Sequence, residues 1–595
     1  MQIRQRVQSL RESMASRTID AYVVTSGDPH QSEYPPERWR GRAWISGFTG
    51  SAGTVVVTVD RACLWVDFRY YLQAEQGTVG SGFEVFRHGE PGVPDYPEWI
   101  ATELGSGARV GVDASTMSVS ALAALTAALA PRGISVDAGP DLLGGIWTDR
   151  PGLPDAAVVP HEVRFAGQSR GEKLSALRAR MAAAGATHHL VSTLDDIAWL
   201  FNLRGSDVAY NPVFLAYALI TGDDAVLFVD RSRIAESLRR ELESDAVTLA
   251  PYDDVAPAVG RLARDSVVLY SADQTSAGLA AAIASSARRI ERINPTSELK
   301  ARKTSVEAEH LRATMVRDGE AMVRFIHWLI GAVRGGERVT EVGATDKLLE
   351  LRSRGDRFVS ESFHPISGYR GHGAIVHYAA TGDTNSVLEP AGLYLIDSGA
   401  QYLDGTTDIT RTIALGEPGQ DERRDFTLVL KAHIALATLT FPVGTTGHMI
   451  DAIARHHLWN ERLNYGHGTG HGVGFYLNVH EGPHRISSHP NSVALEPGMV
   501  VSNEPGVYRA DRYGIRIENL LLVVDAGASE FGAFRRFETL TVCPIDRTLI
   551  KASLLTSRER QWVDEYHRHV RERLLGRLEG VVAEWLDHAC APLTD

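Results

Sequence analysis

The sequence has few cysteines and lacks any long apolar run. Its 595 residues include three cysteines, Cys63, Cys543 and Cys590, which are far apart and odd in number. This usage excludes a disulfide framework and a cysteine-ligated zinc site, and it is typical of a reducing compartment. No apolar run approaches the roughly 20 residues that cross a bilayer. We therefore expect no membrane span and a cytoplasmic location.

The sequence also lacks a cluster of basic residues. The net charge is -13, and no stretch of Lys and Arg is dense enough to hold a phosphate backbone. The first residues, MetGlnIleArgGlnArgVal, form a polar amphipathic pattern without the apolar core of a signal peptide. We therefore expect no nucleic-acid partner and no secretory leader.

The length of the chain indicates several domains, because about 150 residues per domain gives roughly three or four. The first region alternates strand and helix patterns, and a second region repeats this pattern loosely after the proline-rich stretch 145–154. A third region opens with a capping box, Thr304 and Glu307, ahead of a long amphipathic helix. We predict domains at residues 1–155, 156–298 and 299–595.

The third region alternates helices and strands without the regular rhythm of a parallel sheet. The pattern predicts helices near 305–334, 341–354, 422–440 and 448–460, and strands around 374–378, 393–399, 408–414, 499–503 and 515–523. An antiparallel sheet backed by helices is the natural interpretation. A further amphipathic helix is predicted from Thr556 onward.

Two short strings match catalytic motifs but fail on local structure. Residues 480–484 match the HExxH string of zinc proteases, yet the Gly-Pro in the middle forbids the helix that this motif requires. Residues 167–171 match the GxSxG string of a nucleophile elbow, but Ser169 and Glu172 form a capping box that opens a helix. We therefore reject both sites.

Four carboxylates and one histidine, each on or beside a strand-like run, form the strongest candidate site. They are Asp397, Asp408, His471, Glu504 and Glu518. For any single acid the alternative is a solvated surface carboxylate. However, Asp397 and Glu518 adjoin apolar runs, where an unpaired charge is costly and metal ligation removes the cost. Oxygen ligands with one imidazole and no thiolate favour Mn, Co, Fe or Zn, and acids that bridge favour a pair of ions.

This ordered set, together with the motifs around it, resembles the metallopeptidase family with the pita-bread fold, which includes methionine aminopeptidase, prolidase and aminopeptidase P. The motifs in the third region are GHGTGHGVG at 466–474, NVHEGP at 478–483 and GIRIEN at 514–519. Three more are similar to the three-domain cytosolic Xaa-Pro aminopeptidases, namely SGFTGSAG at 46–53, LDDIAWLFNLRG at 194–205 and QWVDEYH at 561–567. The likeness runs along nearly the whole chain.

The resemblance implies a fold, an activity and a cofactor. The fold would be two creatinase-like α/β domains followed by a catalytic pita-bread domain. The activity would be hydrolysis of the bond between an N-terminal residue and a following proline in peptides. The cofactor would be two divalent ions, with manganese favoured over cobalt or zinc, which lower the pKa of a bridging water for attack on the peptide. A homodimer is also implied.

Further residues match substrate-contacting positions of that family. Glu504 is implied to be both a ligand and the shuttle that carries a proton to the leaving nitrogen. His377 and His480 are implied to be catalytic histidines that contact the substrate and stabilise the developing oxyanion. His471 and Arg69 are implied to contribute to substrate binding as well.

Two residues are expected to support the ligands. Arg516, two residues before Glu518 and so on the same strand face, is expected to pair with a metal-binding carboxylate. His467 is also expected to lie behind the ligands. The stretch SGYRGHG at 367–373 departs from the family pattern, and His372 has no implied role.

Three alternatives remain within this fold. A prolidase uses the same metals on dipeptides only, and the three-domain length argues against it. Creatinase acts without a metal, and the intact set of five residues speaks against that. A pita-bread domain that serves as a binding module lacks the ligands, whereas all five are present here.

Overall fold

The computed structural model describes residues 2–594, which divide into two compact units. The first unit contains the chain up to His161 and again Gln168–Leu299, and the second contains Glu162–Gly167 and the chain from Lys300 onward. Within the described residues, no helix combines the length and apolar character needed to cross a membrane.

Eighteen α-helices and 28 strands are present in the described chain. The helices are α1 Gln2–Ser16, α2 Gly41–Ser46, α3 Tyr71–Gly77, α4 Tyr96–Glu103, α5 Val119–Leu129, α6 Val163–Ala166, α7 Arg170–Ala183, α8 Leu194–Phe201, α9 Glu236–Ser244, α10 Val255–Gly260, α11 Ala277–Ala282, α12 Pro295–Ala301, α13 Ser305–Arg334, α14 Glu341–Ser353, α15 Gln420–Ala437, α16 Gly447–Trp459, α17 Ser557–Leu574 and α18 Gly580–Ala589. The strands are β1 Ala21–Val24, β2 Thr54–Thr58, β3 Ala62–Val66, β4 Glu84–Arg87, β5 Arg109–Asp113, β6 Ser135–Gly139, β7 Val159–Pro160, β8 His188–Val191, β9 Leu203–Arg204, β10 Tyr217–Thr221, β11 Ala225–Phe228, β12 Val247–Ala250, β13 Val267–Tyr270, β14 Arg288–Glu291, β15 Phe358–Glu361, β16 Ile366–Tyr369, β17 Leu393–Ser398, β18 Ala400–Tyr402, β19 Gly405–Thr406, β20 Ile409–Ala414, β21 Thr440–Pro442, β22 Gly470–Gly472, β23 Glu481–Ile486, β24 Val500–Asn503, β25 Gly506–Arg509, β26 Tyr513–Arg516, β27 Asn519–Ser529 and β28 Gly532–Thr539.

The first unit contains two six-stranded sheets that share one topology. Their strand orders are β4-β3-β2-β1-β5-β6 and β12-β11-β10-β8-β13-β14. In each sheet the inner strand, β1 or β8, pairs antiparallel on one side and parallel on the other. The inner strands are buried along most of their length, as is typical of strands at the centre of a sheet that is covered on both faces. The loose repetition predicted from the sequence is therefore a repeated sheet topology.

The second unit consists of antiparallel sheets with helices packed against them. Its largest sheet has the order β21-β28-β27-β24-β22-β23, and a smaller one has the order β16-β17-β20. The 30-residue helix α13 begins at the predicted capping box, in which Thr304 Oγ1 accepts the Glu307 N–H. Its apolar face packs into the two main cores of this unit. The predicted antiparallel sheet backed by helices is confirmed.

The predicted strand at 374–378 is wrong. Arg370–Ala374 form a 3-10 helix, and the Tyr378 N–H donates to the Ile375 carbonyl across a turn at 2.9 Å. The apolar residues here are buried by packing against β16 and β17, so they need no strand partner. His377 consequently lies in a turn.

The predicted strand at 515–523 is interrupted. Strand β26 ends at Arg516, and the Glu518 N–H then donates to the Thr410 carbonyl at 3.2 Å before β27 begins at Asn519. The chain passes here from the two-stranded β25-β26 sheet into the largest sheet. The expectation that Arg516 and Glu518 share one strand face is therefore wrong.

Both rejected motifs have the local structure that led to their rejection. His484 lies in strand β23, so the HExxH string is not helical. Ser169 Oγ accepts the Glu172 N–H in a capping box at the start of α7.

Candidate metal centre

Five short segments bring the predicted ligands to one place in the second unit. Asp397 lies in β17, Asp408 immediately precedes β20, and His471 is the central residue of β22. Glu504 follows β24, and Glu518 precedes β27. Each ligand therefore lies on a strand or directly at the end of one, where the sheet holds the backbone rigidly.

Strand register explains why the ligands meet. Strands β24 and β27 pair antiparallel with Asn503 opposite Asn519, so Glu504 and Glu518 leave the pair at the same end. Strands β17 and β20 also pair antiparallel, and this brings Asp397 to the side of Asp408. Donor atoms of Asp408, His471 and Glu518 all lie within 4.8 Å of one another.

Glycine on either side of His471 is required by close packing. A Cβ atom on Gly470 would overlap the Ser502 carbonyl, and one on Gly472 would overlap the Glu481 carbonyl. Strand β22 therefore fits between β23 and β24 only without side chains at these two positions. The Gly/His pattern of the sequence thus reflects a crowded sheet around one imidazole.

The imidazole of His471 presents one nitrogen to the acids. Its Nδ1 lies 2.9 Å from the Gly472 carbonyl, and its Nε2 lies 3.4 Å from Asp408 Oδ2 and 3.5 Å from Glu504 Oε1. Although burial alone would lower the pKa of His471, its hydrogen bond to Asp408 and the charge of Glu504 raise it to about 9. With Nδ1–H donated to the carbonyl, Nε2 can act as a metal ligand.

The four candidate carboxylates lie close enough to repel one another at a site that is largely shielded from solvent. Burial, with Asp408 and Glu504 adding to it and Arg516 opposing it, raises the pKa of Asp397 to about 7. Burial and the neighbouring carboxylates also raise the pKa values of Glu504 and Glu518 above the usual range. Asp397 Oδ1 is buried without a hydrogen-bond partner. Divalent cations fit this site, because they bind oxygen ligands, would neutralise the excess negative charge and would give the unpaired Asp397 oxygen a partner.

Arg516 and Thr410 form hydrogen bonds to two of the acids, Asp397 and Glu518. Arg516 Nη2 donates to Asp397 Oδ2 at 2.6 Å, which is a pairing of the kind that the sequence predicts. Its Nε donates to Thr410 Oγ1 at 3.1 Å, and the Thr410 hydroxyl donates to Glu518 Oε2 at 2.7 Å. Its Nη1 donates to the Tyr508 hydroxyl at 2.8 Å. These contacts fix the orientation of two acids at once.

Sequence reasoning missed Tyr508. His467 Nε2 lies 2.7 Å from the Tyr508 hydroxyl, so this residue connects His467 to Arg516. Burial raises the pKa of Tyr508 to about 12, which keeps the phenol neutral and able to donate. The only available signal was its position four residues after Glu504 in the hairpin that leads to Glu518, and that spacing is not specific.

The two predicted substrate histidines lie on different segments. The ring of His480 meets the ring of His471 edge-on, with centroids 4.3 Å apart and planes at 85°. His377 lies in a turn whose next residue, Tyr378, packs against Leu395 of β17. Their roles toward a substrate stay predictions.

Arg69 lies in the first unit, three residues after the end of β3. Its Nε and Nη2 donate to the two carboxylate oxygens of Asp67 at 2.9 and 2.7 Å. The guanidinium also lies over the Tyr70 ring, 5.4 Å from its centroid. The predicted part of Arg69 in substrate binding stays a prediction.

A buried charge cluster directly follows His480. Glu481 accepts hydrogen bonds from Lys300 Nζ at 2.9 Å and from Lys303 Nζ. All three side chains are at most 2% exposed. Burial lowers the pKa of Lys303, and the neighbouring Glu481 opposes that shift. The cluster anchors the start of β23, and with it the backbone beside His480.

We expect Glu481→Ala to destabilise the protein by about 3–5 kcal/mol, because it leaves two buried ammonium groups without their carboxylate. Equilibrium urea denaturation measures the change. Glu417→Ala is the matched control, since its side chain is 87% exposed in an ion pair with Arg423, and it should cost less than about 1 kcal/mol. Equal losses of unfolding free energy in both variants would contradict the claim that Glu481 stabilises the protein through its buried ion pairs.

Family models match the chain in series. Residues 6–143 and 149–307 match models described as the creatinase/prolidase N-terminal domain. Residues 309–525 match metallopeptidase family M24, and residues 533–593 match the C-terminal region of M24 peptidases. The predicted fold class, creatinase-like α/β domains followed by a pita-bread domain, is thereby confirmed.

Curated relatives match over nearly their full length. A probable Xaa-Pro aminopeptidase P of Laccaria bicolor is 41% identical over 604 residues, covering 99% of this chain and 93% of the relative. Aminopeptidase P2 of Arabidopsis thaliana is also 41% identical, over 97% of this chain and 86% of the relative. The similarity therefore includes the N-terminal regions as well as the candidate metal centre.

Solved structures support the same grouping. The crystal structure of an X-prolyl aminopeptidase from Caenorhabditis elegans, described as a cytosolic enzyme with a di-nuclear active site, superposes with a TM-score of 0.96 at 32% identity and covers 100% of both chains. The dipeptidase PepE of Mycobacterium ulcerans matches with a TM-score of 0.51 at 22% identity over 65% of this chain and 98% of its own, which reflects the fold alone. The chain belongs to metallopeptidase family M24 and, within it, to the aminopeptidase P group.

Proposed function

We propose that this protein is a metal-dependent aminopeptidase that hydrolyses the bond between an N-terminal residue and a following proline in peptides. The observation that carries the proposal is the buried cluster of Asp397, Asp408, His471, Glu504 and Glu518. Full-length relatives named Xaa-Pro aminopeptidase P support the substrate class. The di-nuclear active site described for the C. elegans enzyme supports two metal ions.

These five residues would hold the two divalent cations. We propose manganese, with cobalt or zinc as alternatives, because four carboxylates and one imidazole suit ions of this hardness. When bound, such ions lower the pKa of a water molecule and polarise the scissile carbonyl. The half-buried side chains of His471 and Glu504, 21 and 18% exposed, mark the side of the cluster that a substrate can reach.

Glu504 is assigned the proton transfer. Its Oε1 accepts a hydrogen bond from Ser502 Oγ at 3.1 Å, which orients the carboxylate. The Glu504 side chain is 18% exposed, so it lies where a carboxylate can exchange a proton with an attacking water. A bond to proline is a tertiary amide without an N–H, and its leaving group is a secondary amine. Glu504 would therefore take a proton from the attacking water and pass it to the proline nitrogen.

The histidines are assigned contacts with the substrate. His377 and His480 would donate hydrogen bonds to the carbonyl oxygen as negative charge develops on it. His471 and Arg69 are proposed to contribute to peptide binding. Arg516, supported by His467 through Tyr508, would hold Asp397 in its ligating orientation.

A cytosolic location and a homodimer are proposed as well. The location is supported by the description of the C. elegans enzyme as cytosolic. The division into domains at 1–155, 156–298 and 299–595 stays a prediction. The proposed partners are peptides with proline in the second position, and neither nucleic acid nor a membrane is part of the proposal.

The experiment that tests this function measures release of the N-terminal residue from three peptides. We expect metal-stripped protein with added Mn²⁺ to cleave an Xaa-Pro-Pro tripeptide and to leave an Xaa-Ala-Pro control intact. Cleavage of an Xaa-Pro dipeptide alone would instead indicate a prolidase. Absence of cleavage with Mn²⁺, Co²⁺ and Zn²⁺ would contradict the proposal and favour a binding module.

A further inference from the structure

The carboxylate of Glu341 is the centre of a second buried cluster. Glu341 is the first residue of α14 and is 0% exposed. Its Oε1 accepts the Tyr369 N–H and its Oε2 accepts the Ser386 N–H, both at 2.8 Å. One side chain therefore fixes both ends of the segment 369–386, which contains His377. Hydrogen bonds to an ionised acceptor are roughly twice as strong as neutral ones.

Two side chains inside this segment reach the same carboxylate. His372 Nδ1 lies 2.9 Å from Glu341 Oε1, and the Tyr378 hydroxyl shares its one proton between Glu341 Oε2 at 3.1 Å and the Thr384 carbonyl at 2.7 Å. The His372 and Tyr378 rings stack, with centroids 4.4 Å apart and planes at 26°. The His372 side chain is 32% exposed and closes the cluster toward the surface. We call Glu341, His372 and Tyr378 the Glu341 cluster.

Tyr378 connects the Glu341 cluster to the strand that carries a predicted metal ligand. Its ring packs with Ile366 and Leu395. Ile366 of β16 stands opposite Asp397 of β17, and Leu395 lies two residues before Asp397. The Tyr378 N–H also closes the turn that contains His377, through a 2.9 Å hydrogen bond. The position of this turn relative to Asp397 is thus set by where Tyr378 lies.

We infer that Glu341 and His372 are positioning residues that hold His377 in place for the reaction, acting through Tyr378. The inference rests on the proposed function, because it concerns the histidine that would contact the substrate there. A buried carboxylate is costly unless it is hydrogen-bonded, and here the donors come from both ends of the segment 369–386, from His372 and from Tyr378 of the His377 turn itself.

The test uses two substitutions that separate the ring stack from the hydrogen bond. His372→Phe keeps a ring on Tyr378 and removes the donor to Glu341, whereas His372→Asn keeps a donor and removes the ring. With an Xaa-Pro-Pro tripeptide and Mn²⁺, we expect His372→Phe to lower kcat/KM about tenfold, mainly through kcat, because a misplaced catalytic group costs turnover. We expect His372→Asn to retain activity within about threefold of the wild type.

A double-mutant cycle with His377→Ala distinguishes positioning from a general structural role. If His372 acts through His377, then His372→Phe should change kcat/KM less than about twofold in the His377→Ala background. A second tenfold loss in that background would overturn the inference. Should His372→Phe fail to fold, Tyr378→Phe replaces it in the cycle, since it removes the hydroxyl that reaches Glu341 and keeps the packed ring.

Amide hydrogen exchange tests the inference without any turnover. We expect faster exchange of the Tyr378 amide in His372→Phe and wild-type exchange in His372→Asn, at equal global stability. Unchanged exchange in His372→Phe would overturn the positioning role. If the wild-type protein cleaves no Xaa-Pro peptide with any metal, the proposed function fails, and the exchange result by itself still decides whether His372 holds the turn.

Discussion

Asp408→Ala is expected to lower kcat/KM for an Xaa-Pro-Pro tripeptide by at least about a thousandfold and to leave the protein folded. Asp408 Oδ2 lies 3.4 Å from His471 Nε2, and donor atoms of Asp408, His471 and Glu518 lie within 4.8 Å of one another. The substitution would remove one of the proposed metal ligands from this set. Loss of metal affinity removes the activation of water and of the scissile carbonyl together.

The same substitution should not destabilise the metal-free protein. The charge of Asp408 contributes to the raised pKa values of Asp397, Glu504 and Glu518, so its removal relieves repulsion. The measurements are steady-state kinetics, metal content and thermal unfolding. Asp525→Ala is the matched control, because this aspartate of β27 is 72% exposed, and it should retain wild-type turnover. Wild-type turnover by Asp408→Ala at saturating Mn²⁺ would contradict the metal assignment.

Removal of the metal is expected to abolish activity and to make the protein progressively less stable as the pH rises. In the metal-free fold the pKa of Asp397 is raised to about 7, and the pKa values of Glu504 and Glu518 are raised as well. Between about pH 4 and pH 7 the unfolded chain has lost the Asp397 proton while the folded chain retains it, and the raised pKa values of Glu504 and Glu518 act in the same direction. The folded state then binds more protons, so the stability of the metal-free protein falls as the pH rises.

The titration of His471 extends the loss of stability of the metal-free protein to higher pH. Its folded pKa of about 9 lies above the ordinary value of 6.5, so its contribution to stability is fully present below pH 6.5. That contribution is lost as the pH rises through about 9. Asp397 and His471 therefore both make the metal-free protein less stable as the pH rises. Asp397 has this effect between about pH 4 and pH 7, and His471 has it between pH 6.5 and about pH 9.

Thermal unfolding of metal-stripped protein at pH 5, 7 and 9 measures this dependence. Mn²⁺ should raise Tm more at pH 8 than at pH 5, because the ions compete with protons for the same atoms. Asp408→Ala should show a flatter profile without metal, since one charge of the cluster is gone. A Tm of the metal-free wild type that rises between pH 5 and pH 8 would contradict this account of the site.

The candidate ligands could be proposed from the sequence because several of them carry a local signal. Asp397 follows an apolar run, Glu518 adjoins one, and His471 is flanked by glycines. The start of a helix could also be predicted from the sequence, since a capping box such as Thr304 with Glu307 lies within four consecutive residues. Short-range patterns of this kind depend on backbone geometry that neighbouring residues determine by themselves.

Apart from the pairing of Arg516 with a carboxylate, the hydrogen-bond partners of residues at and around the site could not be predicted. Tyr508 reaches His467 over 41 positions, and Glu481 reaches Lys300 over 181 positions. No periodicity connects such residues, because their distance is set by strand register and sheet packing. The wrong strand at 374–378 has the same origin, since its apolar residues are buried by packing on a neighbouring sheet that the local pattern does not reveal.

The sequence by itself indicated the family, the fold class and the candidate ligands, because its motifs resemble those of a known family over nearly the whole chain. Only the tertiary structure decided how the ligands are held. It paired Arg516 with Asp397, placed Tyr508 behind the site, and gave Glu341 and His372 a common hydrogen-bond cluster. The physical reason is that a buried charge is stable only beside its partners, and which partners it meets is fixed when distant strands pack together.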